Sequence, residues 1–434
     1  MSNIILEDIL NTSGTFIINN SAYPGTLFKQ KNDILLQLSI DLNIQTNPII
    51  NAINIVGTVF GINLTLTNCY DLSSSSKLHG IVSKIIKADL IIVGKSYESD
   101  VIVNELTYEL PCLTNIFSDK AIINVFNSEY PFLHKINVNA QTLIGTDSDG
   151  SIEIRRNISY QPFNDLGNYS VIPEIEYKFN SPVSITEGIK KLACARNLFA
   201  FFCNKNIPLN KINIIEHCDN GNSLDSYLVF FNYTQEEHIE NNTHFIIHAH
   251  NFMNNFDTLW NTWIDFCCRN EYILDIYYEI LCHRSSRTNE FNNLVQILEY
   301  YSRNNRDNEA VTLARLAYNA ENPEKQFKKK YHTYLKYRLQ DLFNVASTFF
   351  TNFTPNNIEK LSSKIADARN FYTHLENDSR KLSHQELSCA SRLLKTIVLL
   401  LIYHSLGINI ATLNHNDIYS IDTVYPEDID FLLN

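Results

Sequence analysis

From the start to about residue 180, apolar and polar positions alternate in short runs separated by Asn, Asp, Ser and Gly, the period of half-buried strands. Strands are predicted over Ile53 to Phe60, Ile62 to Asn68, Leu90 to Val93, Ile122 to Phe126 and Ile152 to Ile158. A helix follows over Ser184 to Cys203, and strands over Ile212 to Cys218, Tyr227 to Tyr233 and Phe245 to His250. From Phe256 the period becomes helical, with helices predicted over Leu259 to Leu281, Asn289 to Arg303, Glu309 to Tyr318, Phe327 to Phe350, Asn356 to Glu376 and His384 to Leu406. The expected class is α+β, split along the chain. Residues 1–255 form a β-rich domain, an antiparallel sandwich or barrel with one helix, and residues 256–434 an all-α bundle.

The helix after residue 355 has legible ends. Thr354 is a candidate N-cap, Pro355 suits the first helical position, and Asn377, Asp378 and Ser379 break the pattern. Ser383 with Glu386 reads as a capping box opening the next helix. Within the first of these helices Ile358, Leu361, Ile365, Ala368, Tyr372 and Leu375 recur at spacings of three and four and form the core stripe. At about 100° per residue, Asn370 and His374 fall nearly opposite that stripe, with Arg369 on its flank. A histidine turned away from the core is either an ordinary solvated residue or a member of a surface cleft.

Arg369 and His374 stand five residues apart, about 140° around the helix, so they do not share one face. Arginine is long enough to reach round, and a second copy of the helix packed across a twofold axis can bring both pairs into one groove. Histidine can take the proton from a ribose 2′-hydroxyl, and arginine can stabilise charge developing on the phosphate. The group suits RNA cleavage.

This Arg369-Asn370-x-x-x-His374 run, on the third long helix of a C-terminal helical region, resembles the signature of the HEPN superfamily. In the first half, Ser13-Gly14-Thr15-Phe16, Tyr23-Pro24-Gly25-Thr26-Leu27, the apolar run Ile34 to Ile40, and Val56-Gly57 through Leu64-Thr65-Leu66-Thr67-Asn68-Cys69 resemble the N-terminal domain of ApeA-type anti-phage proteins, which join such a domain to a C-terminal HEPN domain. The resemblance implies a cytoplasmic endoribonuclease of bacterial antiviral defence by abortive infection, working without metal or cofactor. It also implies a homodimer or higher homo-oligomer acting on RNA, transfer RNA being one candidate, with a phage-derived trigger sensed by or through the N-terminal domain. His374 is then the general base, Arg369 the transition-state stabiliser, Asn370 an orienting donor, and a 2′,3′-cyclic phosphate the product. The competing reading is a non-catalytic sensor or adaptor for a protein or nucleic-acid partner, with Asn370 and His374 lining a dimer interface.

Charge complicates an RNA reading. The net charge is −12, with 35 Lys+Arg against 47 Asp+Glu. It is uneven: residues 257–434 hold 19 against 22, a net of −3, which leaves 16 against 25, or −9, for residues 1–256. Inside the less acidic half, Lys325 to Arg338 interleaves basic and aromatic residues. Lys328, Lys329, Lys330 and Lys336 can hold phosphates while Tyr331 and Tyr334 stack on unpaired bases, or the segment is a solvated helix start whose tyrosines pack inward. Asp417, Asp422, Glu427, Asp428 and Asp430 gather in an acidic tail read as solvated or inhibitory.

The nine cysteines read as thiols rather than disulfides. Cys267-Cys268 and Cys282-His283 lack zinc-knuckle spacing and fall in an apolar helical stretch, so burial is the better account. His244, His248 and His250 share one face of a predicted strand but have no acidic or cysteine partner. The start lacks a basic segment and a sustained apolar run, so no signal peptide is expected. Ile397 to Tyr403 is far short of the roughly 20 residues of a membrane span and reads as a buried helix. Gly-rich phosphate loops, Gly-x-Ser-x-Gly elbows and internal repeats are absent from the sequence.

Overall fold

The computed structural model describes residues 9–30, 33–43, 47–76, 80–110, 122–126, 134–138, 142–161, 168–209, 212–217, 224–231, 246–247, 252–282, 285–329, 334–374, 381–415, 418 and 424–434. Two compact units divide the chain. The first comprises residues 1–114, 121–195 and 208–241, and the second residues 115–120, 196–207 and 242–434.

The first unit is built on strands β1 (Thr12–Ile18), β2 (Ser21–Gln30), β3 (Asp33–Asp41), β4 (Asn51–Val59), β5 (Ile62–Ser76), β6 (Ile81–Lys87), β7 (Leu90–Val93), β8 (Ile102–Glu109), β9 (Ile122–Phe126), β10 (His134–Val138), β11 (Leu143–Thr146), β12 (Gly150–Gln161), β13 (Asn168–Ser184), β14 (Ile212–His217) and β15 (Leu224–Phe231). Thirteen of them form one antiparallel sheet in the order β11-β12-β13-β8-β14-β15-β7-β5-β4-β1-β2-β3-β6, and β9 pairs with β10. A further pairing of β5 with β6 closes β5-β4-β1-β2-β3-β6 into a six-stranded barrel. The expected antiparallel barrel is therefore present, and closure leaves those six strands no free edge.

Two hairpins set its register. Ile18 pairs with Ser21 across Asn19-Asn20, whose φ values of 50° and 61° make the left-handed two-residue turn that suits asparagine. Val59 pairs with Ile62 across Phe60-Gly61, and there a bulky residue takes φ 52°. Phe16, Tyr23, Leu27, Leu36, Leu38, Ile55, Val59, Leu64 and Ile86 fill the interior. Gly57 stands opposite Phe16, and a Cβ there would lie 2.4 Å from the Phe16 ring, so only glycine admits that side chain.

Helix α1 (Ile185–Cys203) follows β13, opened by Ser184 and Glu187, which cap each other's backbone. The second unit then runs through α2 (Phe256–Arg269), α3 (Glu271–Cys282), α4 (Arg287–Asn305), α5 (Asp307–Glu321), α6 (Leu335–Ala346), α7 (Pro355–His374), α8 (His384–Ser405) and α9 (Pro426–Leu433). The single helix expected over Leu259 to Leu281 is two. Asn270, fully buried, turns its side-chain amide onto Phe266 O at 3.1 Å and accepts from Asn305 at 3.0 Å, a local competition that ends the first helix. Of the helix expected from Phe327, Lys329 is helical, residues 330–333 lie outside the described residues, and α6 begins at Leu335 after an extended Tyr334. Of the strand expected over Phe245 to His250 only Ile246 and Ile247 are described; they form a buried bend, and Ile246 N–H donates to Phe202 O at 2.7 Å.

Helix α8 is long and apolar enough to cross a membrane, yet 83% of its apolar window is buried inside the protein. Ser383 supplies the expected capping box with Glu386. At the other end Ile408 N–H bonds Tyr403 O and Gly407 N–H bonds His404 O, with Gly407 at φ 76°, the Schellman stop. The α8 run Ile397 to Tyr403 is apolar and buried all round and forms the centre of the unit.

Candidate functional site

Helix α7 starts as its sequence dictates: Thr354 Oγ1 accepts from Asn357 N–H at 3.3 Å, with Pro355 in the first turn. Ile358, Leu361, Ile365 and Ala368 are buried as expected, joined by Ser362, Ala366 and Phe371. Tyr372 is only half-buried, and Leu375 lies outside the described residues. The row Ile358, Ser362, Ile365 and Arg369 advances by four, three and four, so Arg369 continues the core-facing stripe rather than flanking it.

That direction brings Arg369 against α4. At the end of the buried stripe a cleft of about 610 Å³ opens between α3, α4 and α7. Helix α7 contributes Arg369, Tyr372 and Thr373, α3 contributes Tyr272, and α4 contributes Asn292, Gln296, Glu299, Tyr300 and Arg303. The α4 residues recur at spacings of four, three, one and three, one polar stripe of that helix.

Two guanidiniums share one carboxylate in this cleft. Arg303 Nη2 lies 2.6 Å from Glu299 Oε1, a hydrogen-bonded i, i+4 pair. Arg369 Nη2 stands 3.7 Å from Glu299 Oε2, an ion pair too long for a hydrogen bond. The Tyr272 and Tyr300 rings meet at 4.9 Å and 44°, and Gln296 donates to the Tyr272 hydroxyl. Burial pushes the Tyr372 phenol above its usual value, so it stays protonated and donates to Leu382 O at 3.2 Å. Asn292 Oδ1 is buried with no donor facing it among the described residues, a local cost of about 1–3 kcal/mol.

Asn370 is half-buried and His374, the last residue of α7, is exposed; neither lines the cleft. Within one chain the geometry thus engages Arg369 and leaves the other two candidate residues on a different side of the helix.

A model of the ApeA N-terminal domain 1 matches residues 12–263, more than half of the chain, and a model of the Apea-like HEPN domain matches residues 292–411. The chain belongs to the ApeA-type HEPN proteins. No curated protein and no solved structure matches it. Membership in this family supports an anti-phage defence HEPN protein, and HEPN domains are generally nuclease-related.

The HEPN match encloses α7 and α4 from Asn292 onward, and with them eight of the nine residues lining the cleft. The sequence reading had missed the α4 residues. Their signal was available: a polar row of Asn292, Gln296, Glu299, Tyr300 and Arg303 on a helix whose other face is apolar.

The basic-aromatic segment of this HEPN domain is not a continuous helix start. Residues 326–328 have no regular structure, Lys329 is helical, and Tyr334 is extended before α6 begins at Leu335. Lys329 pairs with Asp307 at 2.5 Å, and buried Arg338 pairs with the same carboxyl at 2.8 Å, which holds Asp307 below the usual carboxylate range. Lys336 lies over the Tyr337 ring at 4.7 Å, Tyr337 is buried and Tyr334 is exposed. Lys330 and Tyr331 lie outside the described residues, as do His244, His248, His250 and His283.

Two further expectations change. Cys268 is exposed and Cys267 and Cys282 are half-buried; the buried face of α2 is carried by Leu259, Trp260, Trp263 and Phe266, which leaves Cys268 on the solvent side. No disulfide joins the described cysteines, and no group of three His, Cys, Asp or Glu among the described residues could hold a metal. The acidic tail is not simply solvated: α9 packs on the domain, with buried Asp428 pairing with Arg392 and accepting from Cys389 at 3.1 Å. Burial next to Asp428 pushes the Cys389 thiol up to about 11, so it stays neutral. Asp417 and Asp422 lie outside the described residues.

Proposed function

We propose that this protein is a metal-independent endoribonuclease of anti-phage defence that cuts cellular RNA through Arg369, Asn370 and His374, with the site completed by a second copy of the chain. The observation that carries this reading is the split on α7. Arg369 enters a polar cleft held by one long ion pair, and His374 stands exposed about 140° away on the same helix. A twofold partner can supply the histidine that one chain directs elsewhere.

In the reaction His374 takes the proton from a ribose 2′-hydroxyl, and the freed oxygen bonds to the adjacent phosphorus. The bond from phosphorus to the 5′-oxygen of the next nucleotide breaks, and that oxygen is protonated as it leaves. A 2′,3′-cyclic phosphate end results. Arg369 stabilises the charge gathering on the non-bridging phosphate oxygens, for which its planar fork suits two of them at once. Asn370 donates a hydrogen bond that orients the phosphate.

The test incubates purified full-length protein with total cellular RNA beside His374→Ala, maps the ends of the products and measures mass by light scattering. Cleavage leaving cyclic phosphates, lost in the variant, supports the reading. A stable monomer that cleaves, or a dimer that never does under phage challenge, overturns its parts separately; the second result favours the sensor or adaptor role.

A further inference from the structure

We propose that the cleft between α3, α4 and α7 is a nucleotide subsite, in which an unpaired base stacks on Tyr272 while the neighbouring RNA phosphate displaces Glu299 from Arg369 and Arg303. This deepens the ribonuclease reading and rests on it for the identity of the polyanion.

The cleft carries the components such a ligand requires. Its two guanidiniums face a single carboxylate, so one positive charge stays uncompensated among the charged lining residues. A bridging phosphate matches two guanidinium forks better than the carboxylate does, since Glu299 reaches Arg369 only at 3.7 Å. Glu299 then holds the place of the phosphate: it keeps Arg369 directed into the cleft and yields when phosphate arrives.

The aromatic wall is prepared for a base. Tyr272 is 38% exposed although it sits on a packed helix. Its ring leans on Tyr300 at 4.9 Å, too close to admit a base between the two, so the open outer face of Tyr272 is the platform. Gln296 fixes the ring by donating to its hydroxyl, which lowers the ordering cost of stacking. Base and phosphate contacts lie in the cleft that holds Arg369, so a nucleotide seated there brings its backbone to the proposed transition-state stabiliser.

The experiment measures binding rather than cleavage. Full-length protein carrying His374→Ala is titrated with a fluorescent single-stranded RNA oligonucleotide and with an abasic oligonucleotide of the same backbone, read by anisotropy. Tyr272→Ala is expected to weaken RNA binding by about tenfold, the size of one lost stack, and to leave abasic binding unchanged; Tyr272→Phe keeps the ring and stays near the parent. Glu299→Gln is expected to tighten binding of both probes by roughly threefold or more, because a competing anion is removed while a hydrogen-bond acceptor remains. Melting curves confirm that each variant is folded. Unchanged affinity for RNA in both Tyr272→Ala and Glu299→Gln overturns the subsite, whether or not the wild-type protein cleaves. The expected affinity changes in a protein whose wild type never cleaves leave the subsite standing and sink the ribonuclease reading alone.

Discussion

Replacing Arg369 and His374 one at a time separates catalysis from folding, because the structure makes both replacements nearly neutral for stability. His374 is exposed at the last position of α7, where loss of a side chain shifts stability by about half a kcal/mol. Arg369 is one-third exposed, and its ion pair with Glu299 at 3.7 Å is worth at most about 1 kcal/mol in solvent. A domain stable by about 5–15 kcal/mol remains more than 99% folded after either loss, so unfolding cannot lower activity measurably. Removing a general base or a phosphate-stabilising cation costs about 10²-fold or more, about 2.7 kcal/mol of barrier. Arg369→Ala and His374→Ala should therefore each abolish cleavage of an end-labelled RNA while melting temperature and light-scattering mass stay near wild type. Arg369→Lys keeps the charge and loses the planar fork, and should stay strongly defective if Arg369 grips two phosphate oxygens. Full activity in His374→Ala would refute the reasoning, as would defects that appear only in step with falling melting temperature or lost assembly.

Glu386 should give α8 a pH-dependent anchor. Its ion pair with Lys364 at 2.7 Å lowers its carboxyl from 4.5 to about 2, about 3 kcal/mol at face value and about 1 kcal/mol after screening at this partly exposed pair. Because the folded value is the lower one, the stabilisation is full above the unfolded value and lost as pH falls from about 5 to 2. Glu386→Gln should thus melt earlier than wild type at pH 7 and converge with it in acid, and a constant gap would contradict the linkage. Phe60→Asn should stabilise the barrel by about 1 kcal/mol, since it relieves a left-handed bulky residue that is 76% exposed; an unchanged or lowered melting temperature would count against this account of the turn. Lys328→Glu together with Lys330→Glu should lower the salt slope of RNA binding by about two units, whereas an unchanged slope assigns the segment to packing alone.

Much of the fold was legible because local rules and global packing agree. Alternating runs with Asn and Gly turns announced β4 and β5 of the barrel, and the Thr354 and Ser383 caps fixed the starts of α7 and α8. What stayed hidden depends on long-range pairing. Closure of the barrel needs β5 to pair with β6 as well as β4, and no local pattern encodes a strand's second neighbour. Asn270 split a helix by a hydrogen bond to Asn305, thirty-five residues away, which periodicity cannot register. Arg369 was assigned to the flank because the stripe was traced through Tyr372; tracing it through Ser362, a polar residue 1% exposed, turns the arginine toward α4. A buried serine looks polar in sequence, and there it decided the direction of the candidate catalytic side chain.

The acidity of the chain bears less on RNA recognition than its net charge of −12 suggests. At physiological ionic strength a charge acts over about 8 Å, so a phosphate responds to the groups lining its own site and little to the far side of the protein. Lys329 and Arg338, which the sequence offers as cations, are spent on Asp307, and Arg392 on Asp428. In the cleft the pairing is incomplete, with Arg303 and Arg369 set against Glu299 alone among the lining residues. For the proposed subsite, a chain that is acidic overall adds selectivity: it disfavours phosphate where no guanidinium is available and leaves this cleft as a favourable place for one to settle. Local shortage of carboxylate, rather than abundance of lysine, is what marks the proposed subsite.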